Sequence, residues 1–93
     1  MIRTFRYGEA ERLFNRRRSR RLPPEMQRTA QRKLAVLDAA EALDDLRAPP
    51  GNRLERLSGD RAGQYSIRIN DQCRICFNWS DRNADDVEIT DYH

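Results

Sequence analysis

An α+β fold is predicted: two N-terminal helices on one face of a twisted, mostly antiparallel sheet, in the order β-α-α-β-β-β-β. Three observations carry it. Residues 64–79 alternate apolar and polar on both sides of Asn70 and Asp71, the period of a hairpin with one buried and one wet face. Met26, Ala30, Leu34, Leu37 and Ala40 recur at helical spacing, the stripe of a helix with one side in a core. The stretch from Ala48 to Gly51 contains two prolines, which ends the helical half of the chain and begins the sheet half. One-sided alternation leaves one sheet face to be covered, so both helices are expected there.

Taken in order, Ile2 to Phe5 reads as a short strand, broken by Gly8. Glu9 to Phe14 follows with Ala10, Leu13 and Phe14 on one helical face. Asn15 to Arg21 (NRRRSRR) is a basic connector, readable as a solvated loop or as a phosphate-binding strip. Pro23, Pro24 and Glu25 open the main helix, with proline tolerated in the first turn and a carboxylate near the positive end of the dipole. Ala42 to Leu46 is a further short turn. Leu54 and Leu57 flank Glu55 and Arg56 in a short strand, followed by the turn residues Ser58 to Asp60, Ala62 and Gly63. In the hairpin, Tyr65, Ile67 and Ile69 face one way, while Gln64, Ser66 and Arg68 face the other. Cys73, Ile75, Phe77 and Trp79 continue the apolar set, opposed by Arg74, Cys76 and Asn78. Arg68 and Arg74 therefore share the wet face mid-sheet, where an anionic partner is expected. Ser80 to Asn83 turns into a last strand around Val87 and Ile89.

With 93 residues, one domain over residues 1–93 is expected; it would bury about two-thirds of its unfolded surface, enough for one modest core. The composition, 38% hydrophobic and 35% charged, is polar but patterned, which favours a folded domain over a disordered tail. No run approaches the ~20 apolar residues that cross a bilayer, and the first residues lack a signal-peptide apolar region. No membrane partner and a cytoplasmic location are therefore expected. The net charge of +3 hides an asymmetry: residues 1–36 hold eleven of the eighteen basic side chains but three of the fifteen acidic ones. Every basic residue except Lys33 is arginine. Arginine grips phosphate with a planar fork of donors, so nucleic acid is the first partner to weigh; a GC-rich coding sequence would give the same bias.

Cys73 and Cys76 spell C-x-x-C, a spacing shared with redox and zinc sites. In a strand, positions three apart face opposite sides and their sulfurs diverge. No second cysteine pair or nearby histidine completes a zinc site. Cys73 reads as a reduced core thiol and Cys76 as a small residue on the open face, with no metal or cofactor expected.

The chain's one histidine is His93. A terminal histidine is commonly frayed, but Tyr92 and His93 directly follow a strand of the sheet that presents Arg74, and imidazole exchanges protons near neutral pH. Cutting an RNA phosphodiester without metal needs a base for the ribose 2′-hydroxyl, a cation for the charge gathering on phosphate, and an acid for the departing 5′-oxygen. Glu55, Arg74 and His93 are of those three types, each on or beside a predicted strand, though many basic domains offer a Glu, an Arg and a His.

The segment LRAPPGNRLERLSGDRAGQYSIRINDQCRICF, the opening MIRTFR and the ending DVEITDYH resemble the HigB toxins of the RelE/ParE superfamily of bacterial toxin–antitoxin systems. The resemblance covers essentially the whole chain. It implies a RelE/ParE-like fold, a ribosome-dependent, metal-independent mRNA endonuclease, and neutralisation by a HigA-like helix-turn-helix antitoxin whose complex with the toxin represses its operon. Carried over by position, Arg74 matches the strand arginine at the scissile phosphate, and Tyr92 and His93 match a C-terminal pair used in acid–base chemistry. Many HigB toxins carry histidine where this chain has Glu55; the related YoeB-type toxins carry a glutamate there as general base. Ser58 stands where the family usually has a phosphate-stabilising lysine, a charge left to Arg56, Arg61 or Arg68. Cys73 replaces the usual tryptophan, a loss of roughly 3–5 kcal/mol if nothing fills the space.

The expected machinery is thus Glu55, Arg74, Tyr92 and His93, with Arg56, Arg61 and Arg68 on flanking phosphates of mRNA in the A site of the small ribosomal subunit. Arg16, Arg17, Arg18, Arg20 and Arg21 are expected on ribosomal RNA, and operator DNA is expected to be met only through the antitoxin complex. Two rival readings remain open: a non-enzymatic inhibitor of DNA gyrase, as in the ParE branch, and a toxin weakened at Ser58 that acts mainly as co-repressor.

Overall fold

The computed structural model describes residues 1–18, 22–48 and 50–91. Arg20, Arg21, Tyr92 and His93 lie outside the described residues. Helix α1 runs Gly8–Phe14 and buries Ala10 and Leu13. It closes with Arg16 in the left-handed region, φ 62, where the amides of Arg16 and Arg17 donate to the carbonyls of Leu13 and Arg12. The basic connector therefore begins as a helix cap, in a conformation usually left to glycine. Helix α2 runs Pro24–Ala39 with proline in its first turn. Its predicted stripe is the buried one: Met26, Ala30, Leu34 and Leu37, continued by Ala40. A 3₁₀ turn at Leu43–Leu46 follows. Asn52, fully buried, ties that turn to α2: its amide donates to the Leu46 carbonyl and its oxygen accepts from Lys33.

Four antiparallel strands form one sheet in the order β1-β2-β3-β4: β1 Glu55–Arg56, β2 Gln64–Arg68, β3 Cys73–Ser80 and β4 Asn83–Asp91. The β2–β3 turn is held by Asn70, whose side-chain oxygen accepts from the amides of Gln72 and Cys73, each at 2.8 Å. The β3–β4 turn places Asp81 and Arg82 at φ 49 and 67, the paired left-handed residues that match strand twist.

The N-terminal segment, expected as a strand, is instead two isolated parallel bridges to β4, Ile2 with Ala84 and Phe5 with Val87. The reason lies in β4. Its register against β3 shifts between Cys76 and Asn78, and Asp86 sits at φ 52, so an extra residue bulges there and bends the strand. Thr4 accepts from the Asp86 amide across the gap at 2.8 Å.

Helices and sheet enclose one core that includes Leu13, Ala30, Leu34, Leu37, Ile67, Ile75, Phe77 and Val87. The opposite sheet face departs from expectation. Ser66 and Cys76 are fully buried and Glu88 is 4% exposed, so Cys76 is not a residue on an open face. Arginine side chains lie across this face and take Ser66 and Glu88 as partners, because long stems cover surface while keeping their charged heads near water. No helix among the described residues is long and apolar enough to cross a membrane.

Candidate active site

Strand pairing lines up two rows across the face away from the helices. Glu55 pairs with Ser66, Ser66 with Cys76, and Cys76 with Glu88. In the neighbouring row, Arg68 pairs with Arg74 and Arg74 with Thr90. The Arg74 side chain is 11% exposed. Its Nε donates to the Ser66 hydroxyl at 2.7 Å, and an Nη donates to the Arg53 carbonyl at 2.6 Å. The same Nη lies 3.8 Å from the carboxylate of Glu55, which is 59% exposed. Arg53 is at φ 43, in a left-handed conformation that costs a non-glycine residue about 1–2 kcal/mol. Its carbonyl is among the protein acceptors that orient Arg74, with the hydroxyl and carbonyl of Ser66, so local strain sits beside the cluster.

Arg53, Glu55, Arg68, Asn70, Asp71 and Arg74 line a cleft of about 320 Å³. Arg68 is paired with Asp71 from the hairpin turn. The anionic partners expected for the mid-sheet arginines are therefore Glu55 and Asp71, both local. The cleft gathers three guanidinium groups beside an accessible carboxylate. Such a set can hold a phosphate and leave one oxygen base for a nearby hydroxyl.

Of the residues singled out in the sequence, Glu55, Arg68 and Arg74 come together here. Arg56 does not: it pairs with Tyr65, whose row runs on to Phe77, so strand alternation turns it away from Glu55. Arg61 is engaged elsewhere on the same face, at 3.1 Å from Glu88 and 3.1 Å from Gln64. Arg6 reaches the same Glu88 carboxylate at 3.1 Å. Burial pushes the Glu88 carboxyl up, but hydrogen bonds and charge from Arg61, with help from Thr90 and Arg6, bring it below the ordinary value. Arg16, Arg17 and Arg18 are exposed after α1. Arg18 lines a separate groove of about 910 Å³ with Arg12 and Arg28. Ser58 is exposed and precedes the 3₁₀ turn Gly59–Arg61, its backbone carbonyl accepting from the Arg61 amide.

Sequence reasoning missed Arg53, Ser66 and Glu88. Period-two alternation gave no signal for Arg53, which stands before β1 at φ 43, outside extended backbone. None existed for Glu88, whose role depends on Arg6 and Arg61 from distant parts of the chain. Both cysteines are free and buried. No group of three or more His, Cys, Asp or Glu side chains suited to a metal occurs among the described residues.

The chain is 49% identical over 65 residues to Toxin HigB-1 of Vibrio cholerae serotype O1, covering 70% of this chain and 68% of that toxin. It is 29% identical over 89 residues to an uncharacterized protein of Haemophilus influenzae, covering 96% and 80% of the two chains. Its fold superposes on the YoeB–YefM complex of Staphylococcus aureus with a TM-score of 0.63 at 17% identity, over 100% of this chain and 98% of that one. The HigB-like toxin family, described as the RelE-like toxin of the type II toxin–antitoxin system HigB, matches residues 3–93, and this chain belongs to that family of antitoxin-partnered toxins.

Proposed function

We propose that the chain is a ribosome-dependent, metal-independent mRNA endonuclease that stops translation by cutting message in the ribosomal A site. The observation that carries it is Arg74, anchored on Ser66 and Arg53, 3.8 Å from Glu55 in an arginine-lined cleft. Glu55 takes the proton of a ribose 2′-hydroxyl. The 2′-oxygen attacks the adjacent phosphorus, and Arg74 balances the negative charge of the five-coordinate phosphate. His93 protonates the departing 5′-oxygen, leaving a 2′,3′-cyclic phosphate on one fragment and a 5′-hydroxyl on the other. Tyr92 orients or shares that proton. His93 is three residues beyond Thr90, the register partner of Arg74, and three residues of chain span at most about 11 Å.

Arg53 and Arg68 supply the phosphate charge that Ser58 does not. Arg61 holds the outer part of the same face, and the Arg16–Arg18 stretch, with Arg20 and Arg21, meets ribosomal RNA. A HigA-like helix-turn-helix antitoxin neutralises the toxin, and operator DNA is reached through that complex. Arg74→Ala, on ribosomes programmed with a defined message, should cut at least about 100-fold more slowly than the wild type with the melting temperature unchanged within a few degrees. An Arg74→Ala protein that cuts as fast as the wild type refutes the assignment, and growth arrest with no transcript cuts points to a gyrase-type target instead.

A further inference from the structure

Tyr7 is 59% exposed, one of two large apolar side chains so exposed among the described residues. Its ring has a companion: the Arg6 guanidinium carbon lies 5.4 Å from the ring centre. Arg6 is not loose, because an Nη donates to Glu88 at 3.1 Å and Glu88 is 4% exposed in the sheet. Glu88 closes the row that begins at Glu55. Three strand spacings, ~14 Å, separate the two ends. Arg74 stands at the first end of that row and Arg61 at the second. Arg74, Arg61 and Arg6 therefore run from the cleft to the β4 edge of the face, where Arg6 also adjoins the exposed Tyr7 ring.

Unpaired bases are recognised by stacking on aromatic rings and guanidinium planes, with cations along the phosphates between them. We propose that Tyr7 and Arg6 form a base-stacking subsite, which takes an unpaired nucleotide of the message a few positions from the cut. This rests on the nuclease reading above and adds a positioning site to it. The ring needs no hydroxyl for this, so Tyr7→Phe should retain the function and Tyr7→Ala should lose it.

The test uses the intact chain on ribosomes carrying messages with a single abasic nucleotide placed, in turn, at each position flanking the cut. Loss of one stacked base corresponds to roughly 5- to 150-fold. Wild type and Tyr7→Phe should cut the intact message alike, and Tyr7→Ala should cut it slower by a factor in that range. One abasic position should slow the wild type by a similar factor and slow Tyr7→Ala no further. Tyr7→Ala cutting like the wild type, or an equal abasic effect in both proteins, overturns the subsite. So does a Tyr7→Ala protein whose one defect is weaker antitoxin binding, which would assign the ring to a protein partner. Arg74→Ala is run alongside: normal cutting by that variant sinks the nuclease reading itself, whereas a dead Arg74→Ala beside a normal Tyr7→Ala sinks the subsite and leaves the nuclease standing.

Discussion

Arg74 has two of its donor groups committed to its own protein, to Ser66 and to the Arg53 carbonyl. Those bonds hold the guanidinium at one angle before any phosphate arrives, which is how a preorganised charge lowers a barrier. Ser66→Ala should therefore lower kcat roughly 10-fold, the effect of about 1.4 kcal/mol, and leave KM nearly unchanged in the same ribosome assay. An unchanged kcat would show that the carbonyls of Arg53 and Ser66 suffice. Glu88 does comparable work for Arg61 and Arg6. Its folded carboxyl is held below the ordinary value of 4.5, so its contribution is fully present above about that pH and is lost as pH falls through the lower folded value. Glu88→Gln should cost about 1–3 kcal/mol near neutral pH, a range reduced from that of a fully buried pair because both arginines are partly exposed. Urea unfolding at a series of pH values should show that the difference between wild type and variant shrinks on the acid side of pH 4.5.

At the scale of elements, the β3–β4 turn is the clearest place to test local conformation. Arg82 occupies a left-handed position at φ 67 where glycine is preferred after an acidic residue. Arg82→Gly should raise stability by about 1 kcal/mol, read as a higher urea midpoint with an unchanged slope; a lower midpoint would mean that the arginine side chain makes up for the strain. The hairpin, the turn at Asn70 and the buried stripe of α2 were all legible in the sequence, because each depends on a period or a turn residue within one short segment. The same period put Arg68 and Arg74 on one face, but their pairing was not legible, because it depends on Gln72 joining the turn so that Ile69 bonds to Cys73. The N-terminal bridges were not legible as such, since they depend on a bulge at Asp86 that meets a segment 82 residues away in sequence. Nor was the covered outer face: alternation marks positions as polar or apolar, but does not show that arginine stems will lie over Ser66 and Glu88.

Across the whole molecule, both faces of the sheet are covered at mid-sheet, one by helices and the other by arginines. Cys73 and Cys76 end up buried on opposite faces. Burial, with the nearby charge of Asp91, pushes the Cys73 thiol up, and a thiol held protonated is a poor nucleophile. The native protein should react with a disulfide reagent at least about tenfold more slowly than the urea-unfolded chain, which should titrate two thiols; a fast-reacting thiol in the native state would mean that one of the two covered faces opens. The charge distribution has a related logic. Basic residues crowd the first 36 positions, yet the candidate cleft draws its cations from Arg53, Arg68 and Arg74, so reaction and wider RNA contact rest on different parts of the chain.

The central claim is that this cleft cuts RNA through the message's own 2′-hydroxyl. The direct measurement is end analysis of a ribosome-bound message, compared with the same message carrying one 2′-deoxynucleotide at the cut. The account predicts a 2′,3′-cyclic phosphate and a 5′-hydroxyl from the first and no cut in the second; equal cutting of both, or fragments ending in 3′-hydroxyl and 5′-phosphate, would contradict it.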